Sequence, residues 1–175
     1  MDDSALAIRA AKGDEGAFEL LVRRHTENVW RLARSLLRND AEAEDAVQET
    51  FIKAYRAMDS FRGDSAFGTW LHSICYRTCL DRIRGRRAEV VPLGRVRERR
   101  GEEESLEVRM AVEEIIRSLP EEERRAFVLV HVLGYSREEA ARICDVPSST
   151  IRSRVSRARE RLAGLLDEAA AEEDG

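Results

Sequence analysis

The sequence predicts an all-α protein, two small helical domains joined by a charged flexible linker, the C-terminal one containing a helix-turn-helix. Three observations carry that reading. Apolar residues recur at helical spacing along nearly the whole chain, with no sustained strand alternation and no internal repeat. From Arg86 to about Glu104 the periodicity dissolves into RRAEVVPLGRVRERRGEEE, where Pro92, Gly94 and Gly101 stand among dense charge. Finally, Ser136–Leu162 has the short helix, tight turn and longer arginine-rich helix of a DNA-binding helix-turn-helix. The 175 residues suffice for two small domains but not for a large enzyme core.

The elements follow in order. A first helix covers about Ser4–Lys12 and stops at Gly13, a residue suited to the C′ position. Asp14 caps the next, whose Phe18, Leu21, Val22, Val29, Leu32 and Leu36 outline a buried stripe. Asn39 or Asp40 starts a third helix that runs to about Met58, burying Ala43, Val47, Phe51, Ala54 and Met58. Its outer side presents Asp45, Gln48, Glu49, Ile52 and Arg56, an aliphatic residue ringed by mixed polar groups. A loop at Asp59–Asp64 contains Gly63, and Ser65 is placed to cap a fourth helix reaching about Arg84. Beyond the linker, Leu106, Met110, Val112, Ile115 and Ile116 open a second core from about Ser105. Leu119-Pro120 ends that helix and places proline in the first turn of the next, which stops at Gly134.

The helix-turn-helix is the most informative segment. Ser136 and Glu139 form a capping box, Ala140, Ala141 and Ile143 face inward, and the Val146-Pro147 step breaks the helix. Ser148 or Ser149 then caps the second helix. At about 100° per residue, Ile151, Val155, Ala158 and Leu162 fall on its inner side, extended by Leu165 and Leu166. Ser149, Ser153, Ser156, Arg157 and Glu160 fall opposite, flanked by Arg152 and Arg159 on one shoulder and Arg154 and Arg161 on the other. Short polar groups and one long donor toward base edges, with arginines toward phosphate, suit a major groove. A merely solvated helix would mix acids with its bases, yet Glu160 is the only acid between Thr150 and Leu162. The closing DEAAAEEDG reads as a frayed polar tail.

The formal net charge of −4 conceals segregation. Bases gather at Arg82–Arg87, Arg95–Arg100 and Arg152–Arg161, acids at Glu42–Glu49, Glu102–Glu107, Glu113–Glu123 and Asp167–Asp174. Separate surfaces for nucleic acid and for another partner follow, and the acidic balance is expected to weaken indiscriminate DNA binding. No run approaches the roughly 20 apolar residues of a membrane span. The start, MDDSALAIRAAKGDE, lacks a secretory signal's basic opening and apolar core, and the three cysteines suit a reducing, cytoplasmic setting.

Read together, the two halves resemble the small extracytoplasmic-function (ECF) sigma factors of the bacterial sigma-70 superfamily. The resemblance lies in DAEAEDAVQETFIKAYRAMDSFRGDSAF at Asp40–Phe67, TWLHSICYRTCLDRIRGRR at Thr69–Arg87, and SLPEEERRAFVLVHVLGYSREEAARICDVPSSTIRSRVSRARERL at Ser118–Leu162. It implies a sigma-2 domain at 1–87, a linker at 88–104 and a sigma-4 domain at 105–175. It implies an alternative sigma factor that binds core RNA polymerase, through the beta-prime clamp helices and the beta flap, and directs promoter-specific initiation. Asp45, Gln48, Glu49, Ile52 and Arg56 match the surface that docks on the clamp helices. The loop matched by Asp59–Phe67 and the following helix would capture unstacked bases of the minus-ten element. Phe61, Trp70, His72, Tyr76 and Arg77 are the candidates there, with Arg82, Arg84, Arg86 and Arg87 near phosphates. Phe67 and Trp70 equally suit a core, the stronger reading for Trp70. Many relatives have Asn where this chain has Arg77, so the captured base is not carried over. Ser149, Thr150, Arg152, Ser153, Arg154, Ser156, Arg157, Arg159 and Arg161 would read or flank the minus-thirty-five element. Many relatives have a P-x-G-T-V turn at the start of that helix, where this chain has Pro147-Ser148-Ser149-Thr150-Ile151. The linker would thread through the polymerase, and an anti-sigma protein is a family-level expectation.

His72, Cys75 and Cys79 share a helical face at metal-compatible spacing, but a fourth ligand is missing nearby and helical thiols usually fill cores. Cys144 reads as core, and His25 and His131 show no partnered acid or nucleophile in the sequence. No P-loop, dinucleotide turn, metalloprotease helix or nucleophile elbow is present, so no enzymatic site, cofactor or metal is expected. An autonomous dimeric helix-turn-helix regulator would need a dimerisation helix or effector pocket, and neither pattern occurs.

Overall fold

The computed structural model describes residues 2–37, 39–88 and 114–173, and every regular element among them is helical. The first helix, α1 (Asp3–Ala11), ends as Lys12 leaves the helix and Gly13 takes a φ of +90°. Asp14 turns the chain into α2 (Glu15–Leu37), its Oδ1 accepting the Ala17 N–H at 3.0 Å. Leu21, Val29, Leu32 and Leu36 of α2 are buried as their spacing requires, while Phe18 and Val22 are half-buried at the edge. Asn39 caps α3 (Asp40–Arg56) by accepting the Glu42 N–H at 3.1 Å. A short 3-10 turn at Met58–Ser60 then leads through the Gly63 bend, φ +76°, to α4 (Phe67–Ala88).

Two boundaries of that helix differ from the sequence reading. Ser65 does not cap it: its hydroxyl faces the Ala66 carbonyl at 3.5 Å, and Ala66 precedes the first turn, accepting the Trp70 N–H. The helix also continues beyond Arg84 to Ala88. Residues 89–104 of the linker, and Ser105, Leu106, Met110 and Val112 of the second core, lie outside the described residues.

The second group opens with helical residues 114–118 (α5), where Ile115 and Ile116 are half-buried. Pro120, at φ −51° and ψ 142°, stands at the cap of α6 (Glu121–Phe127) instead of in its first turn. α6 widens into a π turn at Val128–Val132, closed by the Leu133 N–H on the Val128 carbonyl at 2.9 Å. Gly134, at φ +75°, then reverses the chain and delivers Tyr135 toward α4. The capping box of α7 (Arg137–Cys144) forms in both directions: Ser136 Oγ accepts the Glu139 N–H at 3.2 Å and the Ser136 N–H donates to Glu139 at 2.9 Å. Asp145 takes the left-handed conformation at φ 55°, a place usually given to glycine. The last helix, α8 (Ser148–Glu173), already includes Ser148, so neither serine caps it from outside. The Pro147 carbonyl accepts from Thr150 and Ile151 instead, and the helix holds through the acidic tail to Glu173.

The two groups close on each other, chiefly α4 against α7, and share one buried cluster from Leu6 to Val155. Arg124, 2% exposed, spans the join by donating to the Ser35 carbonyl of α2 at 2.8 Å and the Leu119 carbonyl at 3.1 Å. Arg125 stacks over the Tyr76 ring, 5.5 Å from its centroid, and is held by Glu121 and Glu122. Gly68 makes the approach possible, since a Cβ there would lie 3.2 Å from the Tyr135 hydroxyl and 3.3 Å from the His25 ring.

Candidate functional site

The outer face of α3 stands open. Asp45, Gln48 and Arg56 are exposed, and Ile52 keeps 52% of its surface in solvent. Glu49 is half-buried: Lys53 lies 2.8 Å from it and Arg82 reaches across from α4 to it at 2.9 Å. The hydrogen bond from Lys53, aided by Arg82, holds its carboxyl below the ordinary glutamate range. Arg82 therefore braces two helices, with Asp45 a further 3.9 Å partner, and is not a free phosphate arm. Tyr55, half-exposed one turn beyond Ile52 and edge-on to Phe18 at 5.1 Å, belongs to the same surface. The sequence reading missed it, although the i, i+3 spacing from Ile52 was legible.

Behind the Gly63 bend, Phe61, Phe67 and Trp70 form a three-ring cluster with centroids 5.2 to 5.7 Å apart. Phe67 is its buried base, while Phe61 and Trp70 keep open edges, so Trp70 is core on one side and surface on the other. Arg62 and Asp64 of the loop and Arg77 and Arg84 further along α4 are exposed, Arg84 lying 3.8 Å from Asp81. Arg86 and Arg87 continue the helix, but their side chains lie outside the described set.

His72 and Tyr76 do not share that exposure. His72 is fully buried, with Nδ1 2.7 Å from both the Gly68 carbonyl and the Tyr135 hydroxyl. A carbonyl only accepts, so Nδ1 carries the proton; Nε2 is buried without a hydrogen-bond partner. Desolvation drives this imidazole below its usual value of 6.5 and nearby His25 adds to the shift, against the opposing backbone bonds of Gly68 and Asn28. His25 itself, contrary to the sequence expectation, is paired with an acid, Asp3 from α1, at 2.8 Å. Tyr76, 5% exposed beneath Arg125 and Cys144, has its phenol pushed up to about 12 by burial. In the closed chain the second group covers both.

The thiols are core groups. Cys75 donates to the Val29 carbonyl at 3.7 Å and is raised well above the usual thiol range by its bond with Cys79 and by burial. Burial likewise takes Cys144 to about 11. Among the described residues no three His, Cys, Asp or Glu side chains are grouped to hold a metal.

On α8 the two faces separate as the spacing requires. Ile151, Val155 and Ala158 are buried, whereas Ser149, Arg152, Ser153, Ser156, Arg157, Arg159, Glu160 and Arg161 are exposed. Thr150 is half-buried. Leu162 is half-buried too, but Leu165 does not extend the inner stripe: it is 38% exposed beside Pro120 and Gly164. Leu166's side chain lies outside the described set. One shoulder differs sharply from the other. Arg154 is only 17% exposed and is ion-paired with Glu122, while Arg161 sits 2.9 Å from Glu123.

Comparison with known proteins gives a consistent result. Residues 21–89 match the model of sigma-70 region 2, and residues 109–162 that of sigma-70 region 4. The chain is 40% identical over 165 residues to the ECF RNA polymerase sigma factor SigM of Mycobacterium tuberculosis, covering 94% of this chain and 84% of that one. It is 42% identical over 176 residues to the ECF RNA polymerase sigma-E factor of Escherichia coli K12, covering 91% and 92%. Among solved structures it superposes on CnrH, bound to the cytosolic domain of CnrY, with a TM-score of 0.75, 31% identity and coverage of 95% and 97%. The sigma factor RpoE of Bartonella quintana, bound to the anti-sigma factor NepR, gives 0.77 and 33%, covering 86% and 96%.

Proposed function

The chain belongs to the ECF sigma factors of the sigma-70 family, and on that premise we propose how its surfaces divide the work of promoter-specific transcription initiation. Residues 1–87 form the sigma-2 domain, 88–104 the linker and 105–175 the sigma-4 domain. Asp45, Gln48, Glu49, Ile52 and Arg56, joined by Tyr55, dock on the beta-prime clamp helices of core RNA polymerase. The exposed aliphatic centre with a charged rim supports this assignment. The sigma-4 domain meets the beta flap and lays α8 in the minus-thirty-five duplex, with Ser149, Ser153, Ser156 and Arg157 toward base edges. Thr150, Arg152, Arg154, Arg159 and Arg161 serve the phosphates.

At the minus-ten element, the half-open rings of Phe61 and Trp70 offer stacking faces for extruded bases. Stacking worth about 1–3 kcal/mol per base offsets the few kcal/mol that unstacking costs. Arg77, Arg84, Arg86 and Arg87 line the backbone path, while Arg82 acts through Glu49. His72 and Tyr76 become available only when the second group leaves α4, so their part in strand capture and the closed chain exclude each other. The chain supplies no bond-making chemistry; that stays with the polymerase, in the cytoplasm. No helix among the described residues is long and apolar enough to cross a membrane. RpoE is held by NepR, and a protein of that anti-sigma kind is this chain's expected regulator.

The single observation that carries the reading is one chain bearing both an aromatic cluster at a loop and an arginine-flanked duplex helix. A duplex-only regulator needs the second but not the first. Permanganate footprinting of promoter DNA with core polymerase and this chain tests it. Reactive thymines near the minus-ten position are expected with wild type and lost with Phe61→Ala/Trp70→Ala. Equal opening by that double variant, or none by wild type, contradicts it.

A further inference from the structure

The acids that meet α8 come from α6, and of its two shoulders they meet one, with Arg157 at the edge of their reach. Glu122 pairs with Arg154, and Glu123 lies 2.9 Å from Arg161 and 3.9 Å from Arg157. The Glu123 side chain is only 8% exposed, so its attraction to Arg161 is poorly screened by salt, although Oε2 makes no hydrogen bond in addition to that ion pair. Arg152 and Arg159, on the other shoulder, have no such partner among the described ion pairs and are exposed. Two carboxylates thus occupy one arginine shoulder of the reading helix, Glu122 on Arg154 and Glu123 on Arg161. We propose that Glu122 and Glu123 set the sequence selectivity of α8 by holding Arg154 and Arg161 against internal counter-charges. This rests on the reading of α8 as the minus-thirty-five helix.

The physical logic is a competition. A phosphate recruits one of these arginines only by displacing a carboxylate already in contact with it. On random duplex the exchange gains little, because one charge-assisted bond replaces another. On the correct element, base-edge contacts from the serines and Arg157 seat the helix, and the exchange then completes the phosphate clamp. The glutamates therefore lower affinity everywhere but lower it most on wrong sequences. They are positioning residues, acting on DNA only through the arginines. The acidic balance of the whole chain has its local counterpart here.

The test uses the full chain with core polymerase and two duplex pools: one enriched from random sequence by the wild-type holoenzyme, and the unselected pool. Glu123→Gln keeps shape while removing charge. It is expected to raise affinity for the unselected pool about tenfold and to steepen the log–log salt dependence by about one to two. Discrimination between the pools should fall by a similar factor, and Glu123→Asp should restore it. Glu122 is half-exposed but also holds Arg125, so Glu122→Gln is compared after circular dichroism and small-angle scattering match wild type, with a smaller change of the same sign. Unchanged slope and discrimination in both variants, with wild-type selectivity intact, overturn the proposal alone. Failure of wild type to enrich any duplex overturns the reading of α8 and the proposal with it.

Discussion

Single residues here separate function from stability. Ile52 contributes little to the fold at 52% exposure, so Ile52→Asp should leave the folding free energy within about 0.5 kcal/mol of wild type. It should nevertheless weaken association with core polymerase at least about tenfold, since a charge would replace the apolar centre of an interface. Competition for core against a labelled wild-type chain checks this, and equal competition would remove α3 from the interface. His72 works the other way. Its folded-state pKa lies below the usual 6.5, so the unfolded chain takes up the proton first as pH falls. Stability should be fully present above 6.5 and decline below it. The groups around the ring set that slope: burial and His25 disfavour the cation, the Gly68 and Asn28 backbone groups favour it, and the Tyr135 hydroxyl shares Nδ1. His72→Gln should flatten the dependence of the urea midpoint between pH 7.5 and 5.5. An equally steep curve in the variant would place the titration elsewhere.

Elements show what was legible in the chain and what was not. The capping box at Ser136 and Glu139 was readable because both partners lie within four residues, and it forms in both directions. Ser136→Ala should cost about 1 kcal/mol in thermal or chemical denaturation, as N-cap losses generally do. The Ser136 N–H and hydroxyl hold the Glu139 carboxyl below its usual 4.5, so this stabilisation is complete above that value and is lost as pH falls through the lowered one. Asp145→Gly should stabilise the turn by a few tenths to about 1 kcal/mol, because only glycine reaches φ 55° without crowding a Cβ. The serine caps were misassigned because Ser65, Ser148 and Ser149 each stood near a helix start, and local sequence does not fix a start to one residue. The π turn at Val128–Val132 had no local signal at all. Nor did the burial of Arg124 and Arg125, which depends on carbonyls, a tyrosine ring and acids supplied by packing. The exposed faces of α3 and α8 were legible because periodicity alone separates them. The covering of His72 and Tyr76 was not, because it depends on a contact across the two halves.

At the scale of the molecule, that contact gives the free chain a closed form. Tyr135 lies at its centre, set over Gly68 and bonded to His72, with its own phenol raised by burial. Tyr135→Ala should expand the chain in small-angle scattering without loss of helix by circular dichroism. An unchanged radius would mean that Tyr135 does not hold the halves together. On the proposed reading, opening would release Tyr76 from Arg125, expose the capture helix, and leave α8 able to reach a duplex upstream of the melted segment. The central claim is that this one chain grips the polymerase, opens one promoter element and reads another. Transcripts made on fragmented genomic DNA by core polymerase, with and without the chain, test it most directly when their start sites are sequenced. The account predicts starts that appear only with the chain and share two elements at fixed spacing, the upstream one altered in preference by Arg157→Ala. Start sites identical with and without the chain would contradict it.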